Sequence, residues 1–184
     1  MSEEPVLRAD ARLNRERILA AAEDVFLERG ADASLEEVAR RAKVGIGTLY
    51  RRFPSREMLL AATYNARLLS FVEASRARDA DVDPLGAVRA YLAGLAMNTN
   101  IYRGLAVSLG TVLQSGTPGC HATTEEGHRL LRCGQQTGTI RRDVTFDDLV
   151  YVVTAISLAA ELDDESQPRI AHLVDLFLDG ISVR

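Results

Sequence analysis

Between Arg40 and Arg56 the chain carries six cationic side chains (Arg40, Arg41, Lys43, Arg51, Arg52 and Arg56) and no acidic one. Thr48 and Tyr50 add hydroxyls to the same run. Guanidinium, ammonium and hydroxyl groups donate hydrogen bonds to phosphate oxygens, and arginine can also present two donors to guanine O6 and N7. A donor-rich, acid-free run of this kind suits a polyanion. Covalent chemistry has less to work with. The chain offers no glycine-rich phosphate loop, no His-Glu metal pair and no nucleophile with an evident base, and it has only three histidines. A helical-bundle enzyme or small-molecule carrier with an incidental basic face is the alternative to a nucleic-acid binder.

The elements that must position these donors lie between Ser34 and Phe53. Ser34 with Glu37 three residues on is the pattern of a capping box. Leu35, Val38, Ala39 and Ala42 follow at helical spacing and form one apolar stripe. Lys43-Val44-Gly45 breaks the helix. Ile46, Leu49, Tyr50 and Phe53 repeat the offsets in a second short helix, which Pro54 stops. Thr48, Arg51 and Arg52 are left on its outer face. A short helix pair with such a face is the footprint of a helix-turn-helix that lays its second helix in a DNA major groove. The plainer reading is a helical hairpin with a solvated arginine face.

The run V-G-I-G-T-L-Y-R-R-F-P-S-R-E-M-L resembles the signature of the TetR family of bacterial regulators, V-S-x-G-T-L-Y-x-H-F-x-S-K-E-x-L. The resemblance implies an all-α protein, with a three-helix helix-turn-helix domain over residues 1–54 and a six-helix ligand-binding and dimerisation domain over 55–184. It implies a cytoplasmic, homodimeric repressor that binds a palindromic double-stranded DNA operator, is released by a small-molecule effector and needs no cofactor. It assigns phosphate contacts to Thr48, Tyr50, Arg52 and Arg56; Ser34 and Lys43 join them as further expected contacts. Tyr50 is expected with its ring inside and its hydroxyl outward. Ile46, Gly47 and Arg51, near the start and middle of the second helix, are the expected base contacts, although Arg51 could equally grip phosphate. Three positions depart from the pattern. Lys43 stands where glycine is usual, which implies a positive φ; Gly45 replaces the serine cap; Arg52 replaces histidine. Glu36 also sits where some relatives place a basic residue.

The rest of the chain reads as helices without a strand. Expected spans run from about Asn14 to Gly30 behind a loose arm of residues 1–11 (with Arg8 and Arg12 near DNA), then from Ser55 through two apolar stripes. One stripe is Leu59, Ala62, Ala66, Leu69 and Val72; the other is Leu60, Tyr64, Leu68 and Phe71. Further helices are expected from Pro84 to Met97, Asn100 to Gln114, His121 to Gln136, Thr145 to Ala160 and Pro168 to Gly180. Tyr64, Leu68, Phe71, Tyr91, Leu95, Tyr102 and Leu105 are candidates to line an effector pocket, or else to fill a dry core. Leu149, Val152, Val153, Ile156, Leu173, Leu176 and Phe177 are candidates for the dimer face, in which the resemblance uses the last two helices.

Residues 1–60 hold 11 basic and 11 acidic side chains, and residues 61–184 hold 11 and 15, within a net charge of −4. That is a local basic patch on a chain that otherwise repels DNA. Cys120 and Cys133 read as isolated thiols, and their spacing with His121 and His128 matches no common zinc pattern, so no metal is expected. The apolar run Leu149–Ala160 is too short to cross a membrane.

Overall fold

The computed structural model describes residues 4–78, 82–163 and 166–183, with side chains from Ala11 onward. Among them the chain forms nine α-helices: α1 Glu4–Arg29, α2 Leu35–Arg41, α3 Ile46–Arg52, α4 Arg56–Ala77, α5 Pro84–Thr99, α6 Leu109–Leu113, α7 Pro118–Gln136, α8 Phe146–Ala160 and α9 Ser166–Ile181. A 3-10 turn over Leu105–Ser108 precedes α6. A single antiparallel bridge, Ile140 to Ser182, ties the α7–α8 connection to the end of α9.

Local chemistry sets most of the boundaries. Ser55, Asp83, Thr117 and Thr145 each accept a backbone N–H in the first turn of the helix they precede. Thr145 forms a full capping box with Asp148. Such caps are each worth about 1 kcal/mol. Four spans differ from the sequence reading. Helix α1 begins at Glu4, well before Asn14, because Pro5 is tolerated in a first turn and good helix formers follow it. The span expected over 100–114 is broken: Gly104 takes φ 82°, a 3-10 turn follows, and α6 keeps only five residues. Helix α7 starts earlier, at Pro118 behind Thr117, and α9 starts at Ser166.

The buried side chains form two clusters. The first joins Ile18, Ala22, Val25 and Phe26 of α1 to Leu35, Val38, Leu49 and Phe53, and then to Leu59, Leu60, Tyr64 and Leu68 of α4. Tyr102, Leu105, Val112 and Cys120 close it from the far side. The second packs Phe71 and Val72 of α4 with α5, α7, α8 and α9. Helix α4 therefore belongs to both clusters, as its two apolar stripes imply. Of those stripes, Ala66 is exposed and Leu69 half-buried. Each fully buried large side chain stabilises the fold by about 1.5–3 kcal/mol.

Two close contacts fix how the helices meet. Gly119 of α7 lies against α4, where an added Cβ would come within 2.6 Å of the Asn65 carbonyl oxygen, and its N–H donates to Asn65 Oδ1 at 2.8 Å. Nearby, the buried Glu126 carboxylate accepts from Ser75 Oγ at 2.9 Å, Arg129 at 2.7 Å and Arg76 at 3.3 Å. Burial pushes its pKa up, but the hydrogen bonds from Arg129, Ser75 and Arg76 outweigh that and hold it below the usual value.

The second contact joins α1 to the loop before α6. Gly30 takes φ 88°, and an added Cβ would stand 2.6 Å from the Arg103 carbonyl oxygen. That oxygen accepts the Ala31 N–H at 2.8 Å. Gly30→Ala should lose about 2 kcal/mol or more of stability, since the left-handed backbone alone costs roughly 1–2 kcal/mol and the neighbour is backbone. Gly110→Ala, whose Cβ meets nothing within 4 Å, should not be destabilised. Urea midpoints of the two variants check this.

Candidate nucleic-acid interface

Helices α2 and α3 meet across a turn in which Lys43 holds φ 55°, the left-handed conformation expected where glycine is usual. The Val44 N–H returns to the Ala39 carbonyl at 3.0 Å and closes the turn. Ser34 caps α2 by accepting from the Glu36 N–H at 3.2 Å, and its hydroxyl donates to Glu36 Oε2 at 2.5 Å. The capping box with Glu37 does not form. Glu37 is engaged instead by Arg40 Nη2 at 2.8 Å and Arg41 Nε at 2.9 Å. Arg41 also grips Glu28 of α1 with both terminal nitrogens, at 2.8 and 2.6 Å. This network clamps α2 onto α1, and it neutralises two of the six cations.

The inward side of α3 is Leu49, with Phe53 just past its end; both are buried. Ile46 and Tyr50, expected in the same stripe, are 37% and 45% exposed. A seven-residue helix buries a narrow arc, and Val44 from the turn, partly buried, packs against the core beside it. The Tyr50 ring therefore faces outward with its hydroxyl. Ile46, Gly47, Tyr50 and Arg51 form one exposed surface with Thr48 half-buried at its edge, and a Cβ on Gly47 would meet open space. Lys43 and Ser34 flank it, both exposed.

The four remaining cations divide into two kinds. Arg52 Nη2 donates to the Ala11 carbonyl at 2.7 Å, pinning α3 to α1. Arg56, expected on phosphate, points its Nη1 to the carbonyls of Ala31 and Ala33 at 2.8 and 2.5 Å, so it braces the α1–α2 connection. The N-terminal position on α4 that suggested a phosphate contact also puts Arg56 beside unpaired loop carbonyls. Lys43 and Arg51 make no ion pair among the described residues; Arg51 reaches only Thr48 Oγ1, at 3.5 Å. Arg12 pairs with Glu16 at 3.5 Å, and the Arg8 side chain lies outside the described residues.

The candidate pocket residues fall in two core clusters. Tyr64, Leu68, Tyr102 and Leu105 belong to the first core cluster, and Phe71, Tyr91 and Leu95 to the second. Their rings pack on one another, Tyr64 with Tyr102 at 5.5 Å and Phe71 with Tyr91 at 5.3 Å between centroids. Two hydroxyls are spent inside the protein: Tyr91 donates to the Thr123 carbonyl at 2.8 Å, and Tyr102 donates to Glu23, which also binds Arg67. Burial raises the pKa of all three phenols. Among the candidate dimer residues, Leu149, Val153 and Ile156 point into the protein's own core. Val152, Leu173 and Phe177 are half-buried and Leu176 is exposed. The outer stripe of α8 is instead Tyr151, Ala155 and Leu158, continued by Leu162 just beyond the helix. This shift of helix rotation was hidden because α8 is apolar on nearly every side.

Comparison with known proteins agrees with this arrangement. Residues 18–63 match the model of the bacterial regulatory proteins of the tetR family. Residues 83–183, more than half the chain, match the model described as transcriptional regulator SbtR-like, C-terminal domain. The chain belongs to the TetR family of transcriptional regulators. A TetR transcriptional regulator from Streptomyces coelicolor is 32% identical, with 91% of this chain and 98% of that one covered and a TM-score of 0.56. The fold is also that of the regulator FadR from Bacillus subtilis, solved with stearoyl-CoA (16% identity, TM-score 0.62, 91% and 99% covered). An HTH-type transcriptional regulator of Staphylococcus aureus is 39% identical over 64 residues, a match spanning 33% of each protein. In this TetR-family regulator the helix-turn-helix is the DNA-binding element. Among the described residues no helix is long and apolar enough to cross a membrane, and no cluster of three or more potential metal ligands occurs.

The clamp on α2 has a pH signature. Hydrogen bonds from Arg40 and then Arg41 lower the Glu37 pKa from an ordinary 4.5 to about 2. A depressed carboxylate contributes stability that is present above the unfolded value and is lost as pH falls through the folded one. Wild type should therefore lose stability relative to Glu37→Gln as pH falls from about 4.5 to about 2. Thermal melts of both proteins across that window, at low salt, check it.

Proposed function

We propose that this regulator is a ligand-responsive repressor that binds a palindromic operator as a homodimer. The observation that carries the reading is the outer face of α3. Ile46, Gly47, Tyr50 and Arg51 are exposed together while Leu49 and Phe53 behind them are buried. Arg51 reads guanine through two donors, Ile46 meets a thymine methyl, and Gly47 lets the backbone come close. Lys43, Thr48, Tyr50 and Ser34 bond phosphates and set the register. Arg52 and Arg56 act mainly by bracing, and any phosphate contact they make uses donors left over from the bonds to Ala11, Ala31 and Ala33. Residues 1–54 serve as the reading domain and 55–184 as the sensing and dimerisation domain, in the cytoplasm where the operator is.

Selection of binding sites from random DNA tests this. Arg51→Ala should cost about 1–3 kcal/mol and relax preference at one base pair in each half-site. Lys43→Ala should weaken all sequences alike and lower the salt slope by about 1. An enzyme or carrier with an incidental basic face would show no selected site at all.

Dimerisation is assigned to the outer faces of α8 and α9. Tyr151 is 75% exposed, Leu162 90% and Leu176 55%, next to the half-buried Leu173 and Phe177. Adjacent apolar side chains left in water on two neighbouring helices suit a self-complementary four-helix contact. Leu176→Arg should turn the dimer into a monomer in sedimentation equilibrium and weaken operator binding, while the far-UV spectrum stays unchanged. An effector acts by its differential affinity for the two states, and a tenfold loss of operator affinity requires about 1.4 kcal/mol of coupling.

A further inference from the structure

Helices α6, α7 and α8 line an open cleft of about 320 Å³ that is separate from the packed aromatic residues of α4 and α5. Leu113, Phe146 and Val150 supply apolar wall, and Gln114, His121, Thr124, His128 and Asp147 supply polar groups, all but Thr124 exposed. The three from α7 lie at i, i+3 and i+7, so one face of that helix lines the space. Phe146 lies against α7 at Gly127, where a Cβ would come within 2.3 Å of its ring, and the His128 ring packs on it, tilted by 35°, at 4.5 Å between centroids.

Two properties select the occupant. The volume stands near the lower end of the range for small-molecule sites, about 300–1,000 Å³, which suits one or two rings rather than a long acyl chain. The lining contains no lysine or arginine, whereas it does contain the Asp147 carboxylate. The Asp147 carboxylate is an acceptor only, and Gln114, Thr124 and the two imidazoles add further polar groups. The carboxylate disfavours an anion and accepts from a donor.

We propose that this cleft is an effector site for a small, uncharged aromatic compound carrying hydrogen-bond donors, of the phenol or aromatic-amine class. The proposal rests on the ligand-responsive reading above. The ring stacks beside Phe146 and His128, and its O–H or N–H groups donate to Asp147. The site is placed to act on the reading domain. Helix α6, one wall of the cleft, follows directly on the loop in which the Arg103 carbonyl accepts the Ala31 N–H. In the same loop the Gly104 N–H donates to Glu161 Oε1, at the end of α8, at 2.8 Å. An occupant that shifts α6 against α8 thus shifts the support of the α1–α2 connection.

The chain has three histidines, all exposed; His121 and His128 line the cleft, and the third, His172, lies away from it on α9. Ring resonances of isotope-labelled histidine therefore report the site with an internal control. The probe is 3-aminophenol, with benzoate as the anionic comparison. Titration of the DNA-free protein with 3-aminophenol should shift His121 and His128 saturably and leave His172 in place. Benzoate should bind at least tenfold more weakly. Gly110→Leu, which projects into open space in the cleft wall, should abolish the shifts with the melting temperature retained. Asp147→Asn should narrow the gap between benzoate and 3-aminophenol, a change that loss of folding would not produce. The proposal is overturned if neither cleft histidine saturates, if His172 moves in parallel, if benzoate binds wild type equally well, or if Gly110→Leu binds unchanged. Because these titrations contain no DNA, a failed operator selection would reject the repressor reading while leaving the site standing.

Discussion

Ala31 is held from both sides of its backbone. Its N–H goes to the Arg103 carbonyl, and its C=O takes a guanidinium N–H from Arg56. One residue thus ties the end of α1 to the loop ahead of α6 and to the start of α4. The left-handed Gly30 makes the approach possible, since any Cβ there would strike the Arg103 oxygen. Because α2 and α3 are packed on α1, the angle at which α3 is presented depends on this joint. Its parts are backbone groups and one long side chain, which tolerate small shifts better than interdigitated apolar rings do.

The stabilising weight lies elsewhere. The aromatic cluster of Phe26, Tyr64 and Tyr102 fastens α1 to α4 and to the loop, and Glu126 with its arginines fastens α4 to α7. A buried carboxylate contributes little net stability, but removing its partners would leave an uncompensated charge. The α4–α7 contact is therefore specific as well as tight.

What the sequence made legible was local. The caps at Ser55, Asp83 and Thr145 and the burial of Leu49 and Phe53 follow from neighbouring residues and from side-chain type, and the positive φ of Lys43 follows from the family resemblance. The outer placement of Tyr50 followed from neither, because a seven-residue helix allows several rotations and only its packing against the core decides among them. The same holds for α8, where Leu149 and Tyr151 look alike in sequence and face opposite ways. The bonds of Arg56 to Ala31 and Ala33 were not legible, because the acceptors are carbonyls that every residue carries. The cleft between α6 and α8 was missed for a related reason. His121, His128 and Asp147 are brought together by the tertiary fold, and the break at Gly104 that shortens α6 was read as continuous helix.

The ion pairs on α2 bear on how the protein finds its site. With Arg40 and Arg41 satisfied by Glu37 and Glu28, few mobile cations remain to hold an arbitrary duplex, and the larger unit carries more acidic than basic side chains. Dwell on random chromosomal sequence should then be short, with many brief landings in place of long one-dimensional slides. The balanced charge of residues 1–60 beside the acidic remainder favours approach by the helix-turn-helix end. The search is thereby weighted toward frequent, brief sampling.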